Sequence, residues 1–70
     1  MTTLLPTEIT SFTMPAEINT LELAVAYVKF WERKLIKAGT LSGKEGVRIR
    51  KAYEQRLRLA ESILKLHQEG

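Results

Sequence analysis

The chain has no cysteine and a single histidine, His67. Disulfides and thiolate metal sites are excluded, and a structural zinc site has too few ligands left to form. No metal or cofactor is expected. Proline is confined to Pro6 and Pro15, so nothing beyond the first fifteen residues carries a proline helix breaker. No cation precedes Lys29, which leaves no charged leader of the secretory kind. Long apolar runs are missing as well. The longest uncharged run inside the helical region, Leu23 to Val28, is far short of the roughly 20 residues that span a bilayer. The expectation is a cytoplasmic protein without membrane insertion.

What the chain does have is charge, distributed unevenly. Residues 1–28 hold Glu8, Glu17 and Glu22 and no cation, whereas residues 29–58 hold ten basic and three acidic side chains. A concentrated basic surface attracts polyanions. Seventy residues make one domain at most, and a chain this short buries little apolar surface by itself. With disulfides and metals excluded, self-association is the remaining way to enlarge the core.

Residues 1–18 read as an N-terminal arm. Both prolines lie there among six Thr or Ser residues. Its apolar residues Leu4, Leu5, Ile9, Phe12 and Met14 lack helical spacing, and residues 11–14 alternate in a weakly strand-like way. The arm is expected to be partly extended, packed on something, and disordered over its first few residues. No internal repeat is evident.

Residues 19–70 read as a helical hairpin. Asn19 is placed to cap a first helix over about 20–38, with Glu22 in capping-box position and Ile18 and Leu23 forming a hydrophobic staple. Gly39 is expected to stop that helix in a left-handed conformation. Ser42 and Glu45 are placed to open a second helix over about 43–68. At about 1.5 Å per residue the helices are about 28 and 39 Å long, so the second overhangs the first by about 10 Å. So short a connection makes them antiparallel neighbours, and the arm is well placed to cover the overhang.

On a helical wheel the first helix has a broad apolar arc made of Leu21, Ala24, Val25, Val28, Trp31, Leu35, Ile36 and Ala38. A second stripe, Leu23, Tyr27 and Phe30, lies partly on the other side. The second helix has one arc, Ile49, Ala52, Tyr53, Leu57, Leu59, Ala60, Ile63, Leu64 and Leu66. One partner helix cannot cover both faces of the first. The pattern therefore predicts an all-α homodimer, a four-helix bundle with Leu23, Tyr27, Phe30, Trp31, Tyr53 and Leu57 at its interface. Glu32 and Arg56 interrupt the two arcs, and a buried lone charge is costly. A Glu32–Arg56 pair across the subunits is expected to fix the register.

Chemistry finds few candidates. The segment Gly39 to Glu45 has a superficial likeness to a phosphate-binding loop, but its glycines are too close together, Glu45 stands where a Ser or Thr would bind magnesium, and no strand precedes it. His67 has no nucleophile to serve. The chain is therefore read as non-enzymatic, a small interaction or regulatory protein with an unidentified protein partner. The alternative is a nucleic-acid-binding regulator that uses Lys37, Lys44, Arg48, Arg50 and Lys51 at the hairpin tip.

Overall fold

The computed structural model describes residues 4–69. The expected disorder of the first few residues therefore falls outside the described part. Two helices, α1 (Leu21–Ala38) and α2 (Gly43–Glu69), form the antiparallel hairpin. No strand occurs among the described residues, so the alternation at 11–14 does not produce one.

Trp31 of α1 meets Tyr53 of α2 with ring centroids 5.5 Å apart. The antiparallel register set by that contact places Ala24 level with Ala60, and Ala38 level with Gly46. All four are buried, and the absence of bulk at these levels lets the backbones approach.

The arm is built of two like turns. Pro6–Glu8 and Pro15–Glu17 are each a 3₁₀ turn with proline at its start. There the missing N–H costs nothing, and the ring sets φ in advance. In the first turn the Glu8 carboxylate accepts from the Leu5 N–H at 2.8 Å, while the Glu8 N–H donates to the Leu5 carbonyl at 2.9 Å. In the second, the Glu17 carboxylate accepts from the Met14 N–H at 3.3 Å, and the Glu17 N–H donates to the Met14 carbonyl at 2.9 Å.

The arm thus contains an internal repeat. Leu5-Pro6-Thr7-Glu8-Ile9 recurs as Met14-Pro15-Ala16-Glu17-Ile18. Corresponding residues share a fate: Ile9 and Ile18 are buried, while Leu5 and Met14 are exposed. A hydroxyl follows each copy. The Thr10 Oγ1 accepts from the Phe12 N–H at 3.2 Å, and the Thr20 Oγ1 accepts from the Leu23 N–H at 3.1 Å.

That last bond makes Thr20 the cap of α1, one residue beyond the expected Asn19. The staple residues Ile18 and Leu23 still bury in one cluster. Gly39 also departs from expectation. Its φ of −62° is right-handed, and the positive φ of 84° belongs to Gly43. The sharp change of direction therefore comes at the entrance to α2 rather than at the exit from α1.

The core holds Ile9, Ile18, Leu23, Ala24, Tyr27, Val28, Trp31 and Ala60. The Tyr27 hydroxyl donates to the Thr13 carbonyl of the arm at 3.5 Å, and Ile18 lies beside the far end of α2, where its carbonyl is 3.4 Å from His67 Nε2. The arm thus reaches the α2 overhang at His67 and leaves Leu66 exposed. It also covers the Leu23–Tyr27 stripe, and this changes the role expected of that stripe.

Candidate interaction surface

Leu23, Tyr27 and Trp31 are buried within a single chain, Tyr27 completely. Phe30, Tyr53 and Leu57 are half-buried against the same cluster. These six residues were expected at an interface between copies. Within one chain they already pack in or against the hairpin's core, because the arm supplies cover that periodicity assigned to a second chain. Drawn toward the arm, α1 leaves part of its main arc outside. Leu21 and Ile36 are 48% and 74% exposed.

Glu32 and Arg56 are both exposed. Within one chain neither suffers the desolvation that would demand an opposite charge.

Further uncovered apolar surface lies on α2. This helix has 27 residues and buries only Gly46 and Ala60, whereas α1 has 18 and buries six. Tyr53, Leu57, Ala60, Leu64 and His67 face α1 and the arm, and the half-buried Ile49 stands at the border between this face and the next. A second line, Ala52, Arg56, Leu59, Ile63 and Leu66, is turned about 100° round the helix from the first. Of this line only Ile63 packs partly on the core, while Leu59 and Leu66 are 38% and 69% exposed. A groove of about 540 Å³ runs beside it, bounded by Ser11, Trp31, Ala52, Tyr53, Arg56 and Leu59 among others. Ser11 brings the arm to this edge, and the adjoining Phe12 is 90% exposed.

The cations divide into two groups. On α1, Lys29, Arg33 and Lys37 are exposed at i, i+4 and i+8; Lys29 and Arg33 border the arm at Pro6 and Thr7, and Lys37 borders Ile49 and Tyr53 of α2. On α2, Lys44, Arg48 and Lys51 are exposed at i, i+4 and i+7, on the side turned away from α1. Arg50 is half-buried, and its Nε–H donates to the Gly46 carbonyl at 3.3 Å. Lys34 lies over the Phe30 ring, 5.6 Å from its centroid. Of the five cations expected at the tip, Lys44, Arg48 and Lys51 share one face. Lys37 belongs to α1 and lies apart from them, and Arg50 folds back on its own helix.

Among the described residues, no three His, Cys, Asp or Glu side chains gather where they could hold a metal ion. No helix among them is long and apolar enough to cross a membrane. The sequence carried a signal for the α2 line that whole-arc reading merged with the core: Ala52, Leu59 and Leu66 recur every seven residues, with Arg56 and Ile63 between them. Comparison with protein-family models, with curated proteins and with solved structures finds no match.

Proposed function

We propose that this chain is a small non-enzymatic interaction protein of the cytoplasm, working as a homodimeric helical bundle whose subunits join through the exposed flank of α2. The observation that carries this reading is the poor cover of α2, which buries two of its 27 residues. A helix of that length takes most of its stability from packing an apolar face. A second argument is angular. In a four-helix bundle each helix touches two neighbours on faces roughly a quarter-turn apart, and the two apolar lines of α2 have that relation. Relative to the sequence expectation the dimer is kept and its interface moves, from the Leu23–Tyr27 stripe to Leu59 and Leu66.

Light scattering tests the reading. The expected mass is twice the 8.0 kDa of the chain. Leu59→Glu, at a position 38% exposed, should return a monomer of unchanged helicity. A wild-type mass of 8.0 kDa at tens of micromolar would defeat the reading.

Contact with a polyanion is a second reading, favoured by the exposure of Lys44, Arg48 and Lys51 together on α2. Retention on immobilised heparin that falls steeply between low and moderate salt would support it.

A further inference from the structure

The exposed line of α2 carries more than apolar content. From Ile49 to Leu66 it alternates spacings of three and four: Ile49, Ala52, Arg56, Leu59, Ile63, Leu66. Over about two and a half heptads that spacing fits the seam of a two-helix coiled coil. Arg56 is the one cation in it. Resting on the reading of this flank as the contact surface, we infer that the second copy's α2 docks antiparallel along it, with Arg56 set against the partner's Leu59.

Three observations select this arrangement. The first is Arg56 itself. A parallel, in-register pair would stack Arg56 on its own counterpart across the seam, and like charges so placed repel. The antiparallel arrangement staggers the two guanidinium groups and gives each an apolar neighbour, along which the stem can lie while its charged end reaches water. Arg56 is exposed in the single chain, so docking covers its stem while its charged end keeps its water.

The second observation is the fit of the apolar residues. With Arg56 against the partner's Leu59, Ala52 meets the partner's Ile63 and Ile49 meets the partner's Leu66. Every seam residue then has a counterpart. A slip of one heptad in one direction leaves Ile49 and Ala52 without partners. A slip in the other direction sets Ile63 against the partner's Glu45 and leaves Leu66 beyond the first residue of the partner's helix, Gly43.

The third is charge. Arg48 and Glu69 lie on the solvent-side border of the seam, and both are exposed. In this register, and by symmetry twice, Arg48 stands beside the partner's Glu69. Gln55 stands beside the partner's Ser62. Flanking pairs of this kind set partner orientation in helical coils. The groove bounded by Ala52, Arg56 and Leu59 is then the space that the partner's Leu59 enters.

Because the chain has no cysteine of its own, introduced thiols report the register cleanly. Chains carrying both Ala52→Cys and Ile63→Cys should form a covalent dimer on mild oxidation, while either substitution alone should not. Within one helix the two positions are about 16 Å apart, too far for a bond inside a chain. Covalent dimer from Ala52→Cys alone would mean parallel helices. Failure of the double variant to link, with its mass still twice 8.0 kDa, would mean another register. Either result overturns the inference and leaves the proposed dimer standing, whereas a monomeric mass overturns both. A second test avoids the core. Arg48→Glu should weaken the dimer on the order of tenfold, and adding Glu69→Arg should restore it. Restoration would support the register, and a double variant as weak as the single one would count against it.

Discussion

Replacing Gly46 with alanine sets two effects of known sign against each other. Gly46 lies in the second turn of α2, where alanine is favoured over glycine by up to about 1 kcal/mol. On propensity alone the variant should be the more stable protein. The structure opposes this. A Cβ at Gly46 would lie 2.7 Å from the Leu41 carbonyl oxygen, 2.9 Å from its carbon and 3.2 Å from its Cβ. Ordinary contact begins at 3.4 Å, so the Leu41 backbone would have to retreat by about 0.7 Å. It is not free to do so. The Leu41 N–H donates to the Ala38 carbonyl at 3.0 Å, and the Thr40 hydroxyl donates to the Lys37 carbonyl at 2.8 Å. Ala38 is itself buried, at 3% exposure. Overpacking against a held backbone costs about 1–3 kcal/mol, so the clash outweighs the propensity gain. A net loss centred at about 1 kcal/mol and reaching about 2 is expected, a fall in Tm of about 4–8 °C for each kcal/mol in a chain of this size. The assay is urea unfolding followed by the emission of Trp31, the single tryptophan. Gly43→Ala is the companion measurement. Its φ of 84° makes alanine strained although nothing lies within 4 Å, so a loss of about 1–2 kcal/mol there would be purely conformational. A Gly46→Ala protein that unfolds at the same or higher urea concentration than the parent would refute the packing argument.

Two further outcomes follow from the arm. Thr20→Ala should cost about 1 kcal/mol, and Asn19→Ala should fall within about 0.5 kcal/mol of the parent, because Thr20 holds the Leu23 N–H; the same urea titration separates them, and the reverse order would restore Asn19 as the cap. Ile18→Ala, at a position 5% exposed, should cost about 2–5 kcal/mol and open the arm to limited proteolysis ahead of the helices; a protease map unchanged from the parent would count against the arm as core.

The hairpin was legible because its signals are local and agree with one another. Helical spacing runs through Leu23, Tyr27 and Trp31, no proline interrupts it, and the glycines cluster between Gly39 and Gly46. The face assignment of α1 was harder to read. Helical periodicity tells that Tyr27 is covered but not by what, and the cover came from a segment with no helical period of its own. That segment had a readable signature, a proline two residues before a glutamate and an isoleucine directly after it, recurring nine residues later. It was obscured by the differing residues between Ile9 and Met14. The Asn19–Thr20 shift has a different origin: both side chains can cap a helix, and Ile18, buried one step earlier, decides which backbone turns inward. Merging Leu59 and Leu66 into one broad α2 arc hid the flank that α1 and the arm leave open.

The two proline turns of the arm act as fasteners in series. Each is closed by its own glutamate and sunk by its own isoleucine, with no side-chain bond from one to the other. Such a construction is expected to open one turn at a time, beginning with the turn farther along the chain from α1. The Ile9 clip can release while the Ile18 clip still holds the entrance of α1, and the amides of Leu5 and Glu8 should therefore exchange with solvent before those of Met14 and Glu17. Opening in two steps should give the domain an intermediate in which part of the aromatic core is bare while both helices remain folded, seen as earlier exchange at Leu5 and Glu8.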